Sequence, residues 1–134
     1  MKHLTGLAHI ALYTKDLAAS VRFYELLGGI VTDHADVKKP GGTHHIMMLR
    51  MPGFYLEIIE PHDGTAVAAE GGLFPHIAIE TDDIDAVTAD LKAAGVDTFR
   101  TPEPMTMPIF GGIRNIFFYG PDGEMIELLQ HTAG

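Results

Sequence analysis

The stretch His9-Ile-Ala-Leu-Tyr-Thr-Lys-Asp16 returns 67 residues later as His76-Ile-Ala-Ile-Glu-Thr-Asp-Asp83. Identity falls at His9/His76, Ile10/Ile77, Ala11/Ala78, Thr14/Thr81 and Asp16/Asp83, and the pairing runs on to Gly28/Gly95. Near the end of each half, Tyr55-Leu-Glu57-Ile-Ile59 matches Met125-Ile-Glu127-Leu-Leu129 at an offset of 70. An insertion of three residues in the second half accounts for the change of offset. Because 67 is half of the 134-residue chain, the sequence reads as two copies of one module.

Working outward, the two copies repeat one order of elements. The alternation over residues 6–13 predicts a strand with His9, Ala11 and Tyr13 on one face and Ile10 and Leu12 on the other. Asp16 offers an N-cap to a helix carrying Leu17, Val21, Tyr24 and Leu27, which Gly28-Gly29 stops. Strands follow near 30–37, at 44–50 and at 54–60, the last two flanking a Met51-Pro52-Gly53 turn. The second copy predicts a strand at 75–81, then a helix capped by Asp83 and carrying Ile84, Val87, Leu91 and Ala94 up to Gly95. Strands at 113–119 and 124–130 close it, joined by Pro121-Asp122-Gly123. The expected fold is α+β, with two β-α-β-β-β modules at 1–62 and 73–134 and a linker at 63–72. Thr101–Gly112, with three prolines, two methionines and Phe110, reads as an irregular loop, either a surface connection or a lid over a pocket.

Composition narrows the function classes. Nine Lys and Arg against 18 Asp and Glu give a net charge of -9, and the one adjacent basic pair is Lys38-Lys39. Nucleic acid is therefore not an expected partner. With no cysteine, disulfides, thiolate metal sites and cysteine nucleophiles are excluded. No apolar run reaches the roughly 20 residues that span a bilayer, and Met1-Lys-His-Leu-Thr-Gly-Leu-Ala-His9 has no signal-peptide pattern. A cytoplasmic protein without a membrane partner is the expectation.

The repeat duplicates one histidine and one glutamate. His9 and His76 lie on the first strand of each copy, Glu57 and Glu127 on the last. Each glutamate interrupts an apolar strand, and Tyr55, Ile59, Met125 and Leu129 share its face. A carboxylate among such neighbours costs several kcal/mol unless it is neutralised or bound to a cation. Two imidazoles and two carboxylates form a nitrogen–oxygen donor set suited to Zn, Ni, Fe, Mn or Co. Related modules could bring the four side chains to one centre, which makes a divalent-metal site the reading of His9, Glu57, His76 and Glu127. The adjacent His44 and His45 face opposite sides of a strand, so only one of them could join such a site.

These features resemble the vicinal oxygen chelate superfamily, whose members pair β-α-β-β-β modules into curved mixed sheets around a metal-binding cleft. LAHIALYTKDLAASVRFYELLGG, FYLEIIEP, FPHIAIETDD and FFYGPDGEMIELL carry the likeness, which runs from about Leu7 to Gln130. The resemblance implies metal ligation by His9, Glu57, His76 and Glu127, with Zn or Ni foremost and Mn, Co or Fe as alternatives. The full His-Glu-His-Glu set is most similar to glyoxalase I. That likeness implies a lyase/isomerase in which Glu127 is the catalytic base and Glu57 its pseudo-symmetric partner. It also implies a small-molecule substrate and a homodimer. Other implied activities are methylmalonyl-CoA epimerase-like or extradiol dioxygenase-like catalysis, or non-catalytic drug binding. One position departs from the glyoxalase I pattern: Tyr13 stands where an arginine commonly holds glutathione. Arg22, Arg50, Arg100 and Arg114 are the candidate replacements.

Overall fold

The computed structural model describes residues 2, 3, 5, 7–63 and 76–132. The chain divides into two compact units, Met1–Val67 and Ala68–Gly134. The expected linker at 63–72 lies, apart from Asp63, outside the described residues.

The first unit runs β1 (Ile10–Tyr13), α1 (Leu17–Leu26), β2 (Ile30–Lys39), β3 (Gly42–Met51) and β4 (Phe54–Glu60). Its mixed sheet has the order β1-β4-β3-β2, with β1 parallel to β4 and the other pairs antiparallel. The second unit repeats this as β5 (Ile77–Glu80), α2 (Ile84–Ala93), β6 (Met105–Met107), β7 (Ile113–Tyr119) and β8 (Met125–His131), in the order β5-β8-β7-β6. The α+β class and the doubled β-α-β-β-β order are those expected from the repeat.

Alternation decides which face each helix covers. In the first unit Leu49, Met51, Leu56 and Ile58 are buried with Val21 and Tyr24 of α1. In the second, Ile116, Phe118, Ile126 and Leu128 are buried with Ile84 and Leu91 of α2. Glu57 and Glu127 have the opposite parity on their strands and belong to the other face.

Each helix starts through the same device. Asp16 and Asp83 accept hydrogen bonds from the N–H groups of Ala19 and Ala86, each at 3.1 Å. The Thr14 and Thr81 hydroxyls accept from the backbone N–H groups of those caps, at 3.2 and 3.1 Å. The first helical N–H of each unit is satisfied from the last strand: Glu60 Oε2 accepts from Leu17 N at 2.6 Å, and Gln130 Oε1 from Ile84 N at 2.8 Å. Gly28 (φ 90°) and Gly95 (φ 97°) take the left-handed conformation that ends each helix.

Two differences from the sequence reading have physical causes. The opening strands are shorter than 6–13 and 75–81, because their parallel ladders begin only at Ile10↔Leu56 and Ile77↔Ile126. His9 and His76 thus immediately precede β1 and β5. The segment read as an irregular loop contains β6, which pairs Met105, Thr106 and Met107 with Asn115, Arg114 and Ile113. Pro104 and Pro108 bracket β6, leaving three residues for pairing and too short a run for alternation to announce. Beyond it, Phe110 adopts φ 51° and is 75% exposed.

Candidate metal centre

The parallel pairing of first and last strands brings each histidine to its glutamate. In the first unit Ala11 stands opposite Glu57, and His9 Nε2 lies 3.6 Å from Glu57 Oε1. In the second, Ala78 stands opposite Glu127, and His76 Nε2 lies 3.3 Å from Glu127 Oε1. Among the described residues, three or more His, Asp or Glu side chains are not clustered at metal-binding distance. The structure therefore gathers the four expected ligands as two pairs, one in each unit.

The pair geometry suits a divalent ion. Two donors held side by side on one ion, each about 2.1 Å from it, are separated by about 3 to 3.5 Å. The 3.3 Å separation falls in that span, and 3.6 Å lies just beyond it. The 3.6 Å separation is too long for a hydrogen bond, so the His9 and Glu57 donor atoms are not spent on each other.

The surroundings of the two pairs differ. The Glu57 side chain is 23% exposed, with Met48 opposite it on β3 and the exposed Tyr13 and Tyr55 on the same face. The Glu127 side chain is 9% exposed, and Phe117 stands opposite it on β7. The Phe117 ring meets His76 edge-to-face, with centroids 5.5 Å apart. The second oxygen of Glu127, Oε2, accepts a 2.8 Å hydrogen bond from Nδ2 of the buried Asn115. Sequence reasoning missed Asn115; its parity with Phe117 along β7 placed a polar amide on the glutamate face and was the available signal.

The candidate arginines separate by environment. Arg100 lies over the Phe117 ring at 5.8 Å from its centroid, and its Nη1 is 3.6 Å from Met125 Sδ. It therefore presents a cation one ring away from the His76–Glu127 pair. Arg50 stands opposite Tyr55 on the Glu57 face. Arg114 forms a two-pronged pair with Asp85 of α2 at 2.7 and 2.9 Å. Arg22 borders a cavity of about 500 Å³ beside the start of α1, together with Asp16, Leu17, Val21, Met47 and Glu60. That cavity opens on the helix-bearing side of the first sheet, away from the His9–Glu57 pair. His45 shares this side, paired with Asp36 at 2.7 Å, whereas His44 stacks on His62 with centroids 5.1 Å apart.

Comparison with known proteins places the fold. Residues 6–128 match the Glyoxalase/Bleomycin resistance protein/Dioxygenase superfamily. The chain belongs to that superfamily, also called the vicinal oxygen chelate superfamily. It is 35% identical over 130 residues to a probable lactoylglutathione lyase of Vibrio cholerae, across 92% of this chain and 88% of that protein. Among solved structures it is similar to a glyoxylase/bleomycin resistance protein/dioxygenase domain from Frankia, with TM-score 0.76 and 22% identity over 98% of this chain and 95% of the other. It is also similar to a mutant fosfomycin resistance protein, FosX, from Listeria monocytogenes, with TM-score 0.70 and 25% identity over 93% and 91% of the two chains. That FosX structure is a complex with Mn(II) and a dihydroxypropylphosphonic acid. Among the described residues, no helix is long and apolar enough to cross a membrane.

Proposed function

We propose that the protein is a divalent-metal-dependent lyase/isomerase of the glyoxalase I kind, with His9, Glu57, His76 and Glu127 as ligands. The observation that carries this reading is the repeated pair: each unit offers one imidazole nitrogen and one carboxylate oxygen at a separation suited to one ion. The reading requires the pairs to meet, within one chain or across two copies, and takes the protein to be a cytoplasmic homodimer. Zn or Ni is the first choice of metal, with Mn, Co or Fe as alternatives.

When bound, the ion would hold neighbouring substrate oxygens and stabilise negative charge developing beside the reacting carbon. The chain supplies the proton traffic. Glu127 Oε1 takes the proton from the carbon next to the carbonyl and returns it to the neighbouring carbon, giving isomerisation. Return to the opposite face of the first carbon, through Glu57, would give epimerisation instead. Arg100 offers a charge partner for an anionic end of the substrate, a role the exposed Tyr13 does not fill. The likeness to the probable lactoylglutathione lyase of V. cholerae makes the hemithioacetal of methylglyoxal and glutathione the first substrate to assay.

The test combines metal analysis with proton exchange. Wild type is expected to hold about one divalent ion per four-ligand set, to lose activity on chelation and to regain it on reloading. It is also expected to exchange the substrate proton with solvent deuterium. Undiminished metal content in His9→Ala, His76→Ala and Glu127→Ala would overturn the site. Oxygen uptake in place of exchange would move the reading to dioxygenase-like chemistry, and tight drug binding without turnover to a resistance protein. Sedimentation as a monomer at micromolar concentration would remove the dimer.

A further inference from the structure

We infer that Asn115 is the positioning residue of Glu127, and that it makes the two glutamates of the duplicated site unequal partners. This inference rests on the metal-site reading above. Glu127 is nearly buried, and each of its oxygens has one neighbour: His76 Nε2 at 3.3 Å from Oε1 and Asn115 Nδ2 at 2.8 Å from Oε2. Asn115 is 6% exposed, so water does not compete freely for its amide. It stands opposite Leu129 on β8, two residues along from Glu127 on the same face, within diagonal reach across the ladder. An amide donating to a carboxylate forms one of the stronger hydrogen bonds in a protein, particularly when both are removed from water.

The first unit has the same register position and a different side chain there. Ile46 stands opposite Ile59, as Asn115 stands opposite Leu129. Isoleucine has no donor, and His9 is the one polar neighbour of the Glu57 carboxylate among the described residues. A glutamate that serves as both ligand and base must shift between metal and substrate. Asn115 fixes Oε2 as a pivot and leaves Oε1 as the oxygen that moves, so the carboxylate turns about a held point. Among the described residues Glu57 has no such pivot, which favours a ligand role for it and the proton-transfer role for Glu127.

The experiment is a double-mutant cycle on the metal-loaded protein with two readouts. Asn115→Leu removes the donor while keeping the branched side-chain shape, and Asn115→Ser retains a shorter one. Zn(II) affinity, measured by competition with a chromophoric chelator, is expected to fall about tenfold in Asn115→Leu and less in Asn115→Ser. The kcat for the hemithioacetal is expected to fall about tenfold to a hundredfold with little change in KM, again with partial recovery in Asn115→Ser. In a Glu127→Ala background, which leaves no carboxylate to hold, the Asn115→Leu step should lose most of its effect on Zn(II) affinity, whereas in Glu57→Ala it should keep its effect. Equal effects of Asn115→Leu in the two backgrounds, or unchanged Zn(II) affinity in a folded Asn115→Leu, would overturn the positioning role. If Asn115→Leu does not fold, Asn115→Ser decides through the same coupling. An inactive wild type whose Zn(II) affinity still follows this pattern would overturn the lyase reading and support the positioning of Glu127.

Discussion

In the first unit the His9–Glu57 pair lies open beside two exposed tyrosines. In the second, Glu127 is nearly buried and held by Asn115, and His76 meets Phe117 edge-to-face. Both pairs arise from the same backbone event, a first strand laid parallel to a last strand with Ala11 or Ala78 opposite the glutamate. The pairing is therefore set by register, which the duplication has kept. The support is set by the neighbouring strand, where Met48 and Ile46 stand in one unit and Phe117 and Asn115 in the other. A repeated donor pair is thus compatible with unequal chemical duties, because the residues around it have diverged while the strand order has not.

The largest test of this contrast is Glu127→Gln against Glu57→Gln. If Glu127 is the base as proposed, Glu127→Gln is expected to lower kcat about a thousandfold and to abolish deuterium exchange. Glu57→Gln is expected to retain exchange, with its loss mainly in metal content. Equal loss of exchange in both would erase the division of labour.

The helix starts offer a second contrast, between a charged and a neutral side chain in the same place. Glu60 meets Leu17 N at 2.6 Å and Gln130 meets Ile84 N at 2.8 Å. In urea denaturation Glu60→Ala is expected to cost about 2 kcal/mol and Gln130→Ala about 1 kcal/mol, since the charge-assisted bond is the stronger. Equal costs would show that charge adds nothing there. A smaller change should follow from Ile46→Asn, which supplies the first unit with the donor it lacks. Zn(II) affinity is expected to rise about threefold if the amide reaches Glu57, and no rise would mean that the first ladder cannot reproduce the geometry of the second.

The smallest effect concerns the residues opposite Glu60 and Gln130. His45 turns to Asp36 within its sheet, whereas Arg114 reaches Asp85 on α2. The hydrogen bond from Arg114, assisted by its charge, holds the Asp85 carboxyl below its ordinary value despite some opposing desolvation. A depressed carboxyl contributes its increment above the ordinary aspartate range and loses it as the pH falls through the depressed value. Thermal melts of Arg114→Leu should therefore differ slightly from wild type at neutral pH and converge with it in strong acid. A gap that widens in acid would reverse the assignment.

Much of this was legible in the sequence because it is periodic or repeated. Strand alternation placed Glu57 and Glu127 opposite in parity to Leu56, Ile58, Ile126 and Leu128, and Asp16 and Asp83 announced the helix starts. What escaped was set by tertiary contact. Glu60 and Gln130 reach helices 43 and 46 residues earlier in the chain, and no local pattern signals such a cap. Asn115 falls outside the identities of the repeat, so its bond to Glu127 became visible only with the β7–β8 register. The three-residue β6, enclosed by prolines, is too brief for alternation to separate from a loop.

The closing of each sheet by its last strand has a consequence for the order of folding. Within its own sheet, among the described residues, β1 pairs with β4 and β5 with β8, so the first strand of each unit gains its partner in that sheet only when the end of the unit is available. The antiparallel β2–β3–β4 and β6–β7–β8 meanders join strands close in sequence, where loop closure costs little. The meander should therefore assemble first, and the opening strand with its helix dock onto the finished edge, a step that slows with sequence separation. During synthesis the first unit gains its closing contacts only after Glu60 has left the ribosome. A chain cut short within β4 would carry a bare strand edge, and with it an invitation to aggregate.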